Sequence, residues 1–330
     1  SWKQERRDAM KIAGLLDIPF ITLDVEKEYK KFVVEDMFKN YRKGITPNPD
    51  VLCNEKIKFP FLLRAARKIK ADYIVTGHYV RVKSGELFRG KDEGKDQSYF
   101  LYRLNEEDLK RVLFPIGDYT KSQIRAIAKK NKFFNYDKKG TVGICFIGKV
   151  NLKDFLKKKI KPKKGDVEDA DGNLVGKHDG IFYYTIGQRL GPRYGIEIEK
   201  RGDDKKNLSR WYVARKDLKK NILVVAPEGN ELLKRKKIIV KDFHLISDSE
   251  SDFKNKKVRL SAHRNGVSLT QNVKARIRHV GELLDCVLSY DKKMKKFVVE
   301  LKKAITGVSE GQAIVLYKGE KVLGGGTISF

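Results

Sequence analysis

The chain has 330 residues, a length that suggests two or three domains at about 150 residues each. Hydrophobic residues make up 40% of it, with 17 Phe and 14 Tyr, so packed cores are expected and wholesale disorder is excluded. Lysine and arginine number 72 against 43 acidic residues, and the net charge of +29 suits a large polyanionic partner unless it only reflects a lysine-rich proteome.

Cysteine content and hydropathy indicate the cellular location of the protein. Three cysteines are too few for a disulfide scaffold, which favours a reducing, cytoplasmic location. No apolar run approaches the roughly 18 residues that a membrane span needs, and residues 1–10 are too polar for a secretory signal. We therefore expect a soluble, cytoplasmic protein with no membrane partner.

Helices and strands are predicted to alternate over residues 1–150. Apolar spacing predicts helices over 2–16, 26–42, 56–70 and 118–132. Short apolar runs predict buried strands over 19–25 and 73–76, and a hairpin is expected over 80–89. Strands separated by helices imply an α/β domain with a parallel sheet covered by helices.

The pattern becomes β-rich after residue 150. A hairpin is predicted over 166–174, and short strands with many turns follow over 181–226. Evenly spaced strands, which suggest a small closed β-barrel, are predicted over 238–243, 257–260, 271–278, 284–288, 297–301 and 313–317. The expected division is an α/β domain (1–150), a central domain (151–228) and a C-terminal β-barrel (229–330).

Two cysteines lie in segments rich in turn-forming residues. Cys53 follows a stretch with two prolines, and we expect it at or just before the N-terminus of the helix over 56–70, where the helix end lowers a thiol pKa. Cys145 has glycines on both sides, which permit movement or close approach of a ligand. Both cysteines also fit small core residues, and Cys286 fits that interpretation better because it alternates within a predicted strand.

Several polar segments follow predicted strands. Thr76–Tyr79 comes after a buried strand, at the sheet edge where ligands gather, and His78 is either a phosphate or base contact or a hydrogen-bonded turn residue. Residues 183–189 read as a strand end with an anion contact or as an amphipathic strand. No Cys/His spacing indicates zinc, so no metal site is predicted.

Six segments, spread in order along nearly the whole chain, together resemble the tRNA-specific 2-thiouridylase family, which uses ATP to thiolate the wobble uridine of certain tRNAs. The segments are Thr46–Asn54, Thr76–Tyr79, Lys95–Tyr99, Phe114–Gly117, Gly143–Gly148 and Thr185–Gly191. The resemblance implies a nucleotide-binding domain of the HUP/PP-loop type, a small central β-rich domain and a C-terminal β-barrel, in agreement with the pattern above.

The resemblance also implies a mechanism. ATP, with Mg²⁺ expected, activates the uridine C2 oxygen by adenylation, and a persulfide on Cys145 delivers sulfur to C2. Cys53 then attacks the persulfide, which leaves a Cys53–Cys145 disulfide; in an alternative route, sulfide is released first as the nucleophile. Asp50 is the nearest candidate acid/base. Besides tRNA, a sulfur-donor protein, either a cysteine desulfurase or a relay protein, is the implied partner.

Further site residues are carried over by the resemblance. Asn48, Pro49 and Asp50 match the segment that holds the target base, which must leave its stack to react. Gly77 matches a nucleotide contact. Matches to tRNA-contacting positions are His78, Asp96, Gln97, Ser98, Arg278, His279 and Gln312.

One departure from the family pattern bears on activity. The family's first strand and its Ser-Gly-Gly-Val-Asp-Ser-Ser phosphate loop have no counterpart here, so we expect an N-terminally truncated domain that lacks the main phosphate donors. A non-catalytic tRNA-binding remnant is the alternative function. A different enzyme of the same nucleotide-binding superfamily, such as a tRNA lysidine synthetase or a 4-thiouridine synthase, is disfavoured by the paired cysteine segments.

Overall fold

Helices dominate the first part of the chain. The computed structural model describes residues 2–138, 140, 151–190, 210–247 and 270–330. It begins with α1 (Trp2–Leu15), followed by α2 (Glu26–Tyr29), a π-turn (Lys30–Val34) and α3 (Glu35–Arg42). Val33, Met37 and Tyr41 recur at intervals of four and form the buried face of this second helical stretch, as its apolar spacing predicts.

The next helix begins earlier than its apolar spacing predicts. It runs through α4 (Pro49–Cys53), a π-turn (Asn54–Lys58) and α5 (Phe59–Lys68). Asn48 caps its N-terminus by accepting a 3.3 Å hydrogen bond from the Val51 N–H, and Pro49 occupies the first helical position, where its missing N–H costs nothing. None of the helices that the structure describes is both long and apolar enough to cross a membrane.

A small parallel sheet follows. It pairs β1 (Ile74–Val75) with β4 (Val112–Leu113), which confirms the parallel arrangement. Between these strands lie the predicted hairpin, β2 (Val80–Lys83) and β3 (Glu86–Arg89), and α6 (Glu106–Leu109); α7 (Lys121–Lys130) comes after β4. Thr120 and Gln123 form a capping box at the start of α7.

The strand predicted over residues 19–25 is wrong. The segment has no regular secondary structure, and Ile21 and Leu23 are 66% and 42% exposed. An apolar run becomes a buried strand only when a neighbouring strand pairs with its backbone, and this segment pairs with no strand in the described ranges.

In its described residues, the central domain contains a four-stranded sheet and one α-helix. It contains α8 (Leu152–Lys157), β5 (Gly165–Glu168), β6 (Leu174–His178), β7 (Trp211–Asp217) and β8 (Ile222–Pro227). The strand order is β6-β5-β8-β7, with β5 and β8 parallel, and the β5–β6 pair confirms the predicted hairpin. Phe38 and Tyr41 of α3 share a core cluster with Leu156 and Val167, so this helix packs against the central domain.

The C-terminal strands close into a six-stranded barrel. They are β9 (Lys234–Leu245), β10 (Thr270–Arg276), β11 (Leu284–Asp291), β12 (Lys296–Thr306), β13 (Ala313–Lys318) and β14 (Lys321–Ser329). The order β13-β10-β11-β12-β9-β14 is closed by pairing of β13 with β14, which confirms the predicted barrel. The strand predicted over 257–260 lies outside the described residues.

Strand β14 is absent from the sequence-based prediction because glycine is a poor strand former. Its glycines are required by close packing: a Cβ at Gly325 would strike the Ile314 carbonyl oxygen, and one at Gly326 would strike Val240. The close approach of β9 and β13 to β14 thus explains a strand that propensity disfavours.

The α/β region and the barrel are joined by a common sheet and a common hydrophobic core. The β2–β3 hairpin extends the barrel sheet, with Phe88 of β3 paired to Lys321 of β14. A single core cluster also includes Phe59 and Tyr99 from the α/β region and Val315 from β13. These contacts fix the helix that carries Cys53 relative to the barrel.

Candidate functional site

The α3–α4 loop, residues 43–48, is held by the barrel. The Gln312 amide Nε2 donates to the carbonyl oxygens of Thr46 (3.0 Å) and Pro47 (2.9 Å), and its Oε1 lies 3.5 Å from Asn48 Nδ2. The Thr46 N–H donates to the Glu310 carbonyl oxygen at 3.1 Å. The shape of the loop that leads into α4 is therefore set by residues more than 260 positions later. The predicted contact of Gln312 with tRNA would require release of these bonds.

The central domain contacts the same loop. The Thr46 and Thr185 hydroxyl oxygens lie 3.1 Å apart, and Lys216 Nζ donates to the Gly44 carbonyl oxygen at 2.8 Å. All three parts of the fold therefore meet at the α3–α4 loop, immediately before the helix that carries Asp50 and Cys53.

Asp50 and Cys53 lie on the first turns of one helix. Asp50 is half-buried in the first turn of α4, where the positive end of the helix dipole favours a carboxylate. Cys53 is fully buried against Tyr29, Val33 and Ile57. Because they are three residues apart in a helix, Asp50 and Cys53 lie on neighbouring faces.

The position of Cys53 corrects the sequence-based expectation. The helix begins at Pro49, so Cys53 lies a full turn inside it rather than at or before its N-terminus. The helix-end effect falls off within the first turn, so the predicted reason for a lowered Cys53 pKa does not apply.

The other two cysteines differ. Cys145 and its glycine-rich segment, Gly143–Gly148, lie outside the described residues. Cys286 is buried in β11, where its Sγ donates to the Val273 carbonyl oxygen at 3.4 Å and burial raises its pKa to about 12. Its thiol is therefore protonated at neutral pH, which confirms the prediction that Cys286 is a core residue.

Gly77 leaves room for a ligand at the end of β1. It is exposed, and a Cβ there would have only Ile116 Cδ1 nearby, at 3.9 Å. An open backbone at the carboxyl end of a parallel strand fits close approach of a nucleotide. Within the ranges described above, no group of three or more His, Cys, Asp or Glu side chains is arranged to hold a metal ion.

His78 is neutral at physiological pH. Its Nδ1 lies 2.8 Å from Thr76 Oγ1, and its ring packs between Phe59 and Phe114, with centroids 5.7 and 6.2 Å away. Burial, with the charge of nearby Lys58, lowers the pKa of His78 to about 3. A neutral imidazole cannot supply a cation for a phosphate, so a contact with tRNA would be a hydrogen bond or a ring contact.

The side chains of Asp96 and Ser98 are not accessible to tRNA. Asp96 is fully buried, and its carboxylate accepts hydrogen bonds from Arg276 Nη1 (2.7 Å), the Gly90 N–H (3.0 Å) and both the N–H and hydroxyl of Ser98 (3.1 and 3.0 Å). Ser98 is equally buried. The prediction that these two side chains contact tRNA directly is therefore corrected: they join the β2–β3 hairpin to β10 of the barrel.

The remaining predicted tRNA contacts lie nearer the surface. Gln97 is half-buried, and its Oε1 accepts from the Tyr79 N–H at 2.9 Å. Arg278 and His279 are exposed after β10, with the His279 ring 4.4 Å from the Phe100 ring. Partial desolvation of the His279 ring beside Phe100 lowers its pKa, so Arg278 is the cation of this pair at neutral pH.

Lys216 and Thr185 reach the loop, although nothing in the sequence singles out Lys216. It is one of 72 basic residues, and burial lowers its pKa to about 8. Thr185 belongs to the segment 183–189, which is predicted to be a strand. The structure instead has a 3-10 turn (Ile181–Tyr183) followed by a second turn, in which the Thr185 N–H donates to Gln188 Oε1. This corrects the strand prediction for the first part of the segment. Its last part does pair with β7: Arg189 is bridged to Tyr212, and the Gly187 N–H donates to the Val213 carbonyl oxygen at 2.7 Å.

Three family models match successive parts of the chain. Residues 1–149 match the tRNA methyl transferase HUP domain, 153–227 the tRNA methyl transferase PRC-barrel domain and 235–328 the aminomethyltransferase beta-barrel domain.

Curated relatives are similar along nearly the full length. A protein from Mycoplasmopsis synoviae (strain 53) is 39% identical over 325 residues, which cover 98% of this chain and 79% of the relative. A Listeria monocytogenes protein is 39% identical over 97% of this chain and 81% of its own length. A Coxiella burnetii protein is 37% identical over 99% and 85%. All three are named tRNA-specific 2-thiouridylase MnmA.

Proposed function

This chain belongs to the tRNA-specific 2-thiouridylase family, and we propose that it catalyses ATP-dependent transfer of sulfur to C2 of the wobble uridine in tRNA. Family membership makes it a tRNA sulfurtransferase. The observation that carries the proposal is the α3–α4 loop, with Asn48 capping the helix that carries Asp50 and Cys53.

Nucleotide binding is assigned to the carboxyl end of β1. When bound, ATP supplies activation of the uridine C2 oxygen by adenylation, with Mg²⁺ accompanying its phosphates. Gly77 would contact the nucleotide, and its exposed backbone and open surroundings support this role. The aromatic packing of His78 stabilises the turn that presents Gly77.

Sulfur transfer is assigned to two cysteines. Cys145 would carry a persulfide whose terminal sulfur bonds to C2 as AMP departs with the C2 oxygen. Cys53 would then attack the inner sulfur, that of Cys145, which breaks its bond to the transferred sulfur and leaves a Cys53–Cys145 disulfide. Release of sulfide as a free nucleophile is the alternative route. Cys53 is fully buried. Any route in which its thiol reacts therefore requires the side chains of Tyr29, Val33 and Ile57 to move when substrate binds.

The target base would lie at the α3–α4 loop. Asn48 and Pro49 would hold the extruded uridine, and Asp50 is the candidate acid/base. Support comes from rigidity: the Gln312 bonds to Thr46 and Pro47 hold this loop in place without the substrate. A loop that is already ordered spares the complex part of the entropy cost of binding.

Recognition of tRNA is assigned to exposed groups and to net charge. Arg278, His279 and Gln97 are the contacts whose exposure permits it, and the charge of +29 favours a polyanion. A cysteine desulfurase or relay protein would supply sulfur in the cytoplasm.

A matched cysteine pair tests the function. Cys53→Ser and Cys286→Ser alter two buried thiols, so their packing effects are comparable. We expect Cys53→Ser to abolish repeated turnover, since a serine cannot resolve the persulfide by forming a disulfide. Cys286→Ser should retain near wild-type activity. The readout is 2-thiouridine in digested tRNA, measured by mass spectrometry with ATP, a sulfur donor and reductant present.

Two outcomes would contradict the proposal. Wild-type protein that binds tRNA but forms no 2-thiouridine under these conditions would refute the catalytic proposal and favour the alternative, a non-catalytic tRNA-binding remnant. Equal activity of Cys53→Ser and wild type would leave the function standing but refute the role of Cys53.

A further inference from the structure

We propose that Lys216 is a positioning residue for the α3–α4 loop: by binding the Gly44 carbonyl oxygen, it transmits the position of the central domain to the segment assigned to the target base. The loop's role rests on the proposed function, whereas the mechanical coupling does not. Lys216 has no place in the assigned chemistry, and it lies at the end of β7.

The contact is well suited to a lysine. Gly44 lies just beyond the C-terminus of α3 with a φ of +70°, and its N–H donates to the Tyr41 carbonyl oxygen at 2.9 Å. The C-terminal end of α3, just before Gly44, carries the partial negative charge of the helix dipole, so an ammonium group is favoured near it. Lys216 Nζ supplies it at 2.8 Å. With a pKa of about 8, this amine is mostly protonated at neutral pH.

Steric contact adds to this hydrogen bond. Leu218, two residues further along the chain, covers Gly44 so closely that a Cβ there would lie 2.9 Å from Leu218 Cδ2. Lys216 and Leu218 therefore hold the same glycine, one by a hydrogen bond and one by packing.

Two other glycines also lie at close contacts between domains, so each of the three domains touches the other two. Gly311 of the barrel has a φ of +89°, and a Cβ on it would strike Ile45 in the loop. Gly187 of the central domain has a φ of +80°, and a Cβ on it would lie 2.5 Å from Gly307 Cα of the barrel. We call Gly44, Gly187 and Gly311 the junction glycines. Each lies where two domains touch, so the loop cannot shift without opening one of these contacts.

This arrangement explains why one lysine influences the loop. The barrel fixes Thr46 and Pro47 through Gln312, and the central domain fixes Gly44 through Lys216. The loop is held at both ends by different domains. Loss of the Gly44 anchor leaves the barrel anchor intact, so we expect local loosening rather than unfolding.

The test compares Lys216→Met, Lys216→Arg and Lys219→Met. Methionine keeps much of the aliphatic length but removes the donor, and arginine keeps a cationic donor. Lys219, exposed in the turn that follows β7, serves as a control. Hydrogen exchange measured by mass spectrometry reports on the loop without requiring activity. Lys216→Met should exchange about tenfold faster in peptides covering residues 43–53, because a hydrogen bond to a charged group is lost. Peptides from β11 and β12 should be unchanged.

Activity provides the second readout. At saturating tRNA, Lys216→Met should lower kcat for 2-thiouridine formation about 10- to 100-fold, since small displacements of a reacting group are costly. Its Kd for tRNA should change less than about twofold, and Lys216→Arg should recover part of kcat. A purely structural role would instead lower stability and tRNA affinity together, without rescue by arginine.

The outcomes separate the two proposals. Unchanged exchange over residues 43–53 in Lys216→Met overturns the coupling, whatever the activity. Exchange that rises while kcat stays at the wild-type value overturns the positioning role. Absence of 2-thiouridine with both wild type and Lys219→Met refutes the proposed function, while the exchange measurement still decides whether Lys216 holds the loop.

Discussion

At the residue scale, burial determines which side chains carry charge near the site. His78 is held neutral by Phe59 and Phe114, whereas Asp96 is surrounded by donors from Arg276, Gly90 and Ser98. A buried carboxylate with this many charge-assisted bonds is a structural anchor, because removing its cationic partner Arg276 would leave a buried charge poorly compensated. The position of a residue within a signature segment is therefore a poor guide to whether its side chain contacts the substrate.

The environment of His78 makes stability depend on pH. Its folded-state pKa of about 3 lies below the ordinary 6.5, so the unfolded chain binds the extra proton between these values. Stability is thus present above pH 6.5 and is lost as pH falls toward 3. We expect the free energy of unfolding of wild type, relative to His78→Asn, to fall by on the order of 2 kcal/mol between about pH 7 and pH 5.

Urea unfolding of both proteins at the two pH values measures this difference. Asparagine can still hydrogen-bond to Thr76 but does not titrate, and the other titrating groups are common to both proteins. A difference that stays constant with pH would show that His78 is not held neutral by its surroundings.

At the element scale, two glycines in different elements should respond oppositely to the same change. Gly14 lies in α1 with nothing within 4 Å of a Cβ, whereas Gly325 lies in β14 against the Ile314 carbonyl oxygen. Gly14→Ala should raise the free energy of unfolding by about 0.5–1 kcal/mol through helix propensity. Gly325→Ala should lower it by about 1–3 kcal/mol because β13 must move away.

Thermal or denaturant unfolding of the two variants beside wild type provides the check. Each variant serves as the control of the other, since both add a single methyl group. If Gly325→Ala proved as stable as wild type, the tight approach of β13 to β14 in this structure would be incorrect.

At the scale of the whole molecule, the distributed positive charge should govern tRNA binding. Neutralising phosphates releases counterions, so affinity should fall on the order of 10³-fold between roughly 50 and 200 mM salt if about six phosphates are contacted. Arg278→Gln should reduce the slope of log K against log salt by about one. Lys110→Gln is the control, because Glu106 and Glu107 already pair with that lysine.

Filter binding across this range of salt concentration gives both slopes. A flat response in wild type would favour a lysine-rich proteome as the origin of the +29 charge. An equal loss of slope in Lys110→Gln and Arg278→Gln would show that the Arg278 surface has no special part in binding.

The sequence alone determined the local structure and the family. Periodic apolar residues predicted the α3 region and α7, and evenly spaced short apolar segments predicted most of the barrel strands. These predictions succeed because the information lies within a few neighbouring residues. The signature segments identified the family for the same reason, since each is a short continuous stretch.

Only the tertiary structure decided burial, strand pairing and the use of individual polar groups. Residues 19–25 have the composition of a strand but no pairing partner in the described ranges, and β14 is a strand despite its glycines. Asp96 meets Arg276 across 180 residues, and Lys216 meets Gly44 across 172. Such contacts depend on which distant segments pack together, and that packing sets the burial, the pKa and the accessibility of each side chain.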